Sequence, residues 1–366
     1  MAVMQHQFLH PLASSSFSNL VRLTSAYGCD LKYLPWLLYL GVTCALRQPL
    51  AWLEFGKYRN VIERQPIEPA PIFIVGHWRS GTTYLHNLMS QDPQFGRVTL
   101  LQAAMPREFL IIPMNLVAGL QKMLPQTRLM DNVPVSADAP WEEEMALTSF
   151  GRLSFYHVSF FPRAVDKIFR EAVLFNDGDV GLKTEWQHQY LHFLRKVQFV
   201  QRDRRLLLKN PANTARIAIL REMFPKSRII HIHRDPYKVF ASTVHLYMKT
   251  QEAWGLHKTD RDQVVRHVLK TYPALMNAYF TQRKDLSDEE LVEVSFRDLQ
   301  RDPMGTLRTI YDQIKLEGYD AAATYFRRYI DGQRNYRKNM LPLSAWERQQ
   351  VGRCWREAFD RLGYSV

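Results

Sequence analysis

Cysteine is scarce in this chain. Its 366 residues include three, Cys29, Cys44 and Cys354, scattered and odd in number. No disulfide framework or zinc-ligand spacing can be assembled from them, which fits a reducing compartment such as the cytoplasm and leads us to expect buried thiols. Long apolar runs are also lacking. The most apolar stretch, residues 33–46, contains Pro35 and Gly41 and stops at Arg47, short of the roughly 20 residues a spanning helix needs. The opening residues 1–12 lack the basic region and apolar core of a secretory signal. No repeat period, low-complexity tract or nucleic-acid module is visible. Acidic charge is the minority sign, with 36 Asp and Glu against 48 Lys and Arg. The resulting formal charge of +12 points to an anionic partner, whether nucleic acid, an acidic membrane surface or a phosphorylated cofactor. The composition, 46% apolar and 23% charged, is that of a globular chain with a sizeable core.

Residues 1–30 are polar and serine-rich, with order expected to fade toward the start. Residues 31–64 read as helical. Basic Lys32, Arg47, Lys57, Arg59 and Arg64 and aromatic Tyr33, Trp36, Tyr39 and Trp52 surround the apolar stretch. That pattern suits either a helix lying on a membrane surface through residues 31–55 or a helical hairpin packed on the main domain. Pro66, Pro69 and Pro71 then punctuate the chain. Residues 72–75, I-F-I-V, read as a strand buried on both faces, and Tyr84, Leu85, Leu88 and Met89 follow at helical spacing. The alternation recurs: strands at 206–208, 228–233 and 291–294, with helical faces at Ile217, Leu220 and Phe224 and at Val239 and Phe240. Trp186, Tyr190, Phe193, Leu194 and Val197 make an amphipathic helix of residues 183–201. The last 60 or so residues read as helix broken near Asp331-Gly332 and Leu341-Pro342. Strands alternating with helices predict an α/β fold, a central parallel sheet flanked by helices. The expected organisation is a helical N-terminal extension, 1–65, and one domain, 66–366, with a helical C-terminal part.

The sharpest motif is residues 76–83, G-H-W-R-S-G-T-T, placed directly after a buried strand and opening a helix. Backbone N–H groups in such a loop face an anion, as in the phosphate loops of nucleotide-binding proteins. The Gly76–Gly81 spacing fits, but Thr82 stands where a nucleotide triphosphatase carries lysine, and the cation lies in the loop as Arg79. A hydroxyl for magnesium could come from Thr82 or Thr83, yet the strand ending at His233 leads into Arg234, not into a metal-binding aspartate. Arg234 ends a strand, Pro236 suits a first helical turn, and Ser242 lies eight residues on, about two turns into the helix. Such a pair could grip a second phosphate. His188 and His192 sit four apart on a helix but without the glutamate of a zinc-protease motif, and His231 and His233 share a strand face where packing is expected.

Taken together, these motifs resemble the sulfotransferases that use 3′-phosphoadenosine 5′-phosphosulfate, closest to the broad bacterial-type group. The resemblance rests on R-S-G-T-T at 79–83, Arg234 with Ser242, L-L-L-K-N-P-A-N-T-A-R-I at 206–217, V-S-F-R-D-L-Q-R-D-P at 294–303 and A-P-W-E-E-E-M-A-L at 139–147. It implies a P-loop-like fold and transfer of a sulfuryl group to an acceptor hydroxyl or amine, with no metal required. It assigns Arg79, Ser80, Gly81, Thr82 and Thr83 to the 5′-phosphosulfate, Arg234 and Ser242 to the 3′-phosphate, and Lys209 to the neighbourhood of the transferring group. Relatives have a basic segment closing over the cofactor where this chain has Arg337 and Lys338. The histidine that many cytosolic relatives use as base is replaced here by Pro211. A carboxylate base is then expected, Glu144 first and Glu142 next, with Glu143 beside them and His77 a lesser candidate. Three glutamates in a first helical turn also suit the macrodipole, so a purely structural role competes. The surrounding apolar residues, notably Trp, Tyr, Phe and Met in 100–160, point to a hydrophobic small-molecule or lipid acceptor. A cytoplasmic enzyme, peripheral at the membrane face, is the expected setting. The alternative is a P-loop kinase-like phosphotransferase using ATP and magnesium.

Overall fold

A computed structural model describes residues 10–128, 133–175, 180–333 and 341–366. They fall into two compact units. One comprises Met1–Ile67, Val98–Arg202 and Leu246–Val264, the other Glu68–Arg97, Asp203–His245 and Val265–Val366.

The first unit is helical. Among its helices are α1, Phe17–Tyr27, α2, Leu34–Arg64, a short α4, Glu143–Leu147, and α5, Val180–Gln201. Ser16 caps α1 by accepting the Asn19 N–H. The serine-rich stretch is not merely polar surface: Ser14, Ser15 and Asn19 are buried, with Ser14 Oγ 2.6 Å from Ser149 Oγ and Asn19 Nδ2 donating to Ser15 Oγ. Residues 34–64 form one continuous helix, not a hairpin. Pro35 occupies the first turn, where its missing N–H costs nothing, and the helix runs through Pro49. Two ion pairs fasten it: Arg47 to Glu108, and a buried Lys196–Glu54 pair. Since the second pair is buried, removing either partner strands a charge in the core. In α5 the residues Trp186, Tyr190, Phe193, Leu194 and Val197 are each fully buried, as the 3.6-residue period requires. The cysteine expectation holds for one thiol only. Cys44 is buried, Cys29 is half-buried and Cys354, on the outward face of its helix, is exposed.

Among the described residues the second unit carries a sheet of five parallel strands. These are β1 (Ile72–Val75), β2 (Phe95–Gly96), β3 (Arg205–Lys209), β4 (Arg228–His233) and β5 (Leu291–Ser295). Their order is β2-β3-β1-β4-β5. Only β2 escapes the sequence pattern, because two residues carry no period. Alternating side chains feed two layers of core. Ile72, Ile74, Leu207, Ile230 and Ile232 pack with Leu85, Leu88 and Met89 of α3, Thr82–Met89. On the opposite face Phe73 meets Phe224 at 5.9 Å. Each such side chain, removed fully from water, contributes roughly 1.5–3 kcal/mol. Helix α6, Pro236–Trp254, follows β4. The C-terminal helices are Tyr319–Gly332, Ala345–Cys354 and Arg356–Leu362; the stop at Gly332 and the non-helical Leu341-Pro342 were expected, whereas the breaks at 314–318 and at Trp355 were not.

All five strands run parallel, so their carboxyl ends share one edge. The chain passes from β3 to β4 across β1, and such a crossover point opens a ligand crevice at that edge. The Gly76 loop, Lys209 and Arg234 all lie there, at the ends of β1, β3 and β4.

Burial also sets an acid limit. His10, His77 and His157 are held down to about 4 by desolvation, from an ordinary 6.5. Above about pH 6.5 neither folded nor unfolded chain protonates them. Between about 6.5 and 4 the unfolded chain takes up protons that the folded one refuses. Stability is therefore expected to hold above that window and fall within it, by roughly 1.4 kcal/mol per pH unit for each such histidine. Urea midpoints measured at about pH 7.5 and 5 test this; equal midpoints would show that these rings protonate in place.

Candidate active site

The loop after β1 needs its two glycines. Gly76 has φ 138°, and a Cβ there would lie 2.1 Å from the Ile232 carbonyl oxygen. Gly81 has φ 101°, and its Cβ would lie 2.1 Å from the Phe296 ring. Between them Arg79 takes a left-handed φ of 71°, which costs a side chain with a Cβ about 1–2 kcal/mol. Such strain persists where surrounding contacts overdetermine it. Two such contacts hold this loop: Gly76 N–H donates to Thr214 Oγ1 at 2.8 Å, and Thr243 Oγ1 donates to the Trp78 carbonyl at 3.5 Å.

The arginine is also anchored at its side chain. Arg79 Nε donates to Ser242 Oγ at 2.8 Å, and Arg234 Nη1 donates to the Arg79 carbonyl at 3.2 Å. The Arg234 guanidinium lies 5.0 Å from the centre of the Phe296 ring, a cation–π contact that orients it. Thus Arg79, Arg234 and Ser242, spread over 164 positions, are joined by two hydrogen bonds. Lys209, 2% exposed at the end of β3, has its Nζ 3.5 Å from Thr83 Oγ1. Lys209 sits in register beside Ile74 of β1.

At the start of α3, Leu85 N–H bonds to the Gly81 carbonyl. Gly81, Thr82 and Thr83 therefore stand in the first turn, where amides precede the intrahelical ladder and carry the positive end of the dipole. Ser80 differs: its N–H donates to the His77 carbonyl at 3.1 Å, closing the turn inside the loop. His77 is buried, its Nδ1–H bonded to the Trp78 carbonyl at 2.8 Å and its ring 4.7 Å from that of Tyr272. Desolvation holds it to about 4 and so neutral near pH 7.

The three glutamates have different surroundings. Glu142 is half-buried at the N-cap of α4 and accepts the Tyr156 hydroxyl at 2.8 Å. Glu143 is fully buried and accepts the Tyr190 hydroxyl at 2.8 Å. Glu144 is fully buried and accepts the Phe155 N–H at 2.6 Å. The Tyr156 hydroxyl is driven well up by its burial and then by the Glu142 charge beside it. It stays protonated and serves as a donor to that carboxylate. Arg337 and Lys338 lie outside the described residues.

The two histidines of β4 are accounted for by packing, whereas His188 is exposed on α5. His231 lies 3.9 Å from the Tyr279 ring and bonds to Glu293, while His233 bonds to the Tyr364 hydroxyl at 2.9 Å. His192 meets the edge of Phe150. The positioning residues Thr214 and Phe296 were not singled out by the sequence reading. Both lie inside motif segments, at 206–217 and 294–303, but nothing in the sequence reports that one ties Gly76 and the other faces Gly81.

A glycine-pinned loop at the carboxyl edge of a parallel sheet, with two arginines and a lysine around it, is an arrangement able to receive a phosphorylated or sulfated group. The family is then shown by comparison: the sulfotransferase family model matches residues 71–321, and the chain belongs to that family. It is a sulfotransferase. Among its relatives are the omega-hydroxy-beta-dihydromenaquinone-9 sulfotransferases Stf3 of Mycobacterium bovis and Mycobacterium tuberculosis. Each is 31% identical over 313 residues, covering 86% of this chain and 80% of the relative. Two solved structures share the fold. Sulfotransferase STF9 from Mycobacterium avium superposes with a TM-score of 0.67 at 17% identity, over 96% of this chain and 98% of that one. Sulfotransferase STF1 from Mycobacterium tuberculosis does so with 0.66 at 18% identity, over 92% and 90%.

Proposed function

We propose that the chain transfers the sulfuryl group of 3′-phosphoadenosine 5′-phosphosulfate to a hydroxyl on a hydrophobic small molecule or lipid. One observation carries the choice of donor. The loop arginine Arg79 is hydrogen-bonded to Ser242, so the residues suited to a 5′-phosphosulfate and those suited to a 3′-phosphate belong to one site. A donor with anionic groups at both ends of a nucleoside fits that site. Family membership sets the ATP-dependent phosphotransferase alternative aside, as do Thr82 in the lysine position and Arg234 in the aspartate position.

In this reading the donor supplies the sulfuryl group, which passes to the acceptor oxygen as its bond to the bridging phosphate oxygen breaks. Negative charge grows on that bridging oxygen. Arg79, Lys209 and the amides of Gly81, Thr82 and Thr83 stabilise it as preorganised donors, with the Thr82 and Thr83 hydroxyls. Ser80 contributes through its place in the turn and its hydroxyl, since its N–H is engaged. Arg234 and Ser242 hold the 3′-phosphate. No step in this scheme calls on a metal. A carboxylate takes the acceptor proton. Glu142 and Glu144 are the two candidates, and Glu142 is favoured because it is half-buried and retains access, whereas Glu144 is closed over on Phe155.

The acceptor class follows from what the relatives named above act on, a hydroxylated menaquinone, together with the aromatic content of residues 100–160. The catalytic domain is taken as 66–366, with 1–65 as its extension, working in the cytoplasm at the membrane face.

The test is calorimetric binding of adenosine 3′,5′-bisphosphate in chelator, beside adenosine 5′-monophosphate. The bisphosphate should bind, and removal of the 3′-phosphate should weaken it at least about tenfold, or roughly 1.4 kcal/mol. Ser242→Ala should weaken the bisphosphate and leave the monophosphate nearly unchanged. Equal weakening of both would remove Ser242 from the 3′-phosphate, and binding of ATP alone with magnesium would overturn the donor.

A further inference from the structure

Helix α2 is apolar on two opposite sides. Leu40, Cys44, Ala51 and Ile62 are buried in the first unit. On the other side Leu34, Leu38, Val42, Leu46, Trp52 and Leu53 are exposed, by 48% to 74%. At about 100° per residue these six fall within an arc of roughly 120°, and they extend along about 30 Å of the axis. A helix apolar all round is normally buried all round, and an exposed apolar face this long calls for a cover.

The charges beside the stripe say what kind of cover. Lys32 lies 4.5 Å over the Tyr33 ring, Lys57 5.1 Å over Tyr58, and Arg59 5.2 Å over Phe55. Their charged heads stand over the ring faces, so positive charge and aromatic surface lie side by side along this segment, as they do where a helix meets an interface. The helix has two acids, Glu54 and Glu63. Glu54 is buried against Lys196, and Glu63 is bonded to Arg59 at 2.8 Å. The stripe is therefore bordered by positive charge with its acids already engaged. Trp52, Phe55, Arg59 and Arg107 also line one cavity of about 310 Å³, apolar surface beside guanidinium groups.

We propose that α2 docks the enzyme on an anionic bilayer. The stripe lies in the plane of the surface at the level of the upper acyl chains, and Lys32, Lys57 and Arg64 meet lipid phosphates. The helix lies on the membrane and does not cross it: among the described residues no helix is long and apolar enough to span. The proposal rests on the lipid-acceptor reading for its purpose, since an acceptor dissolved in that bilayer would be delivered to the docked enzyme.

Co-sedimentation of the full chain with vesicles of equal parts phosphatidylglycerol and phosphatidylcholine tests it. The protein should pellet with these vesicles, less as salt rises, and far less with phosphatidylcholine alone. The double variant Leu38→Glu, Leu46→Glu should lose at least about tenfold in vesicle affinity, with unfolding temperature and bisphosphate affinity unchanged. Lys57→Glu with Arg64→Glu should weaken binding and flatten its salt dependence. Absence of pelleting, or equal pelleting of the leucine variant, overturns the proposal. So does a dimer in sedimentation velocity that the leucine variant dissolves while vesicles go unbound, which would give the stripe to a second copy. Bisphosphate affinity in the same preparations reports separately on the donor: its failure with vesicle binding intact rejects the nucleotide reading and leaves the docking helix standing.

Discussion

Arg79→Ala is expected to lower kcat/KM for the sulfuryl donor by about 10²–10³, the range seen when one preorganised donor is removed from a site of developing charge. Affinity for adenosine 3′,5′-bisphosphate should fall together with turnover, because the same guanidinium ties the loop to Ser242. Arg79→Lys should rescue little. A lysine keeps the charge but loses the planar fork that lets Nε reach Ser242 while the terminal nitrogens serve another partner. The variant with alanine should fold. The left-handed φ of 71° at this position is tolerated by neither residue better than the other, and no core side chain is removed. Steady-state kinetics with labelled donor, beside calorimetry with the bisphosphate, make the check. Unchanged kinetics in Arg79→Ala would remove the loop arginine from the reaction.

The second large effect is expected at the carboxylate. Glu142→Gln should lower kcat by about 10²–10⁴, the contribution of a positioned general base, with little change in bisphosphate affinity. It keeps the size of the side chain and an oxygen able to accept the Tyr156 hydroxyl now held at 2.8 Å. Glu144→Gln is the paired control. Its carbonyl oxygen can still accept the Phe155 amide now bonded at 2.6 Å, so a structural role predicts turnover close to that of the unsubstituted enzyme. The reverse outcome, a dead Glu144→Gln with an active Glu142→Gln and equal unfolding temperatures, would assign the base to Glu144. If both variants turn over normally, the cluster is structural and the proton leaves by another route. The pH profile separates catalysis from packing: removal of a true base should abolish the acid limb of kcat/KM as well as lowering its plateau.

The legible parts of this chain are the local ones. I-F-I-V at 72–75 has to be buried on both faces, and four apolar residues in a row admit few other fates. The parallel sheet, the buried stripe of α5 and the helix stop at Gly332 follow from period and punctuation alone. The anion loop was equally local, because its glycines, its arginine and its following helix are contiguous. Other features depended on partners far away in sequence. Residues 34–64 were compatible with a hairpin, since Gly41 and Pro49 are breakers by propensity. The Arg47–Glu108 and Lys196–Glu54 pairs fasten the segment as one rod. Ser14 and Ser15 look solvated until Ser149 is brought beside them.

The same division runs through the site. Sequence determined which residues are chemically able to bind two anionic groups, because charge, hydroxyls and loop geometry are properties of short segments. It also determined the apolar content of α2. Tertiary structure alone decided that Arg79 and Ser242 share a hydrogen bond across 163 positions, and that Thr214 holds the amide of Gly76. It decided too that Glu144 is fully buried while Glu142 is half-buried, and that one apolar side of α2 is covered by the first unit while the other faces out. The reason is physical. Propensity and period act over a few residues, whereas burial, desolvation and long-range hydrogen bonding are set by whichever distant segments the fold brings into contact.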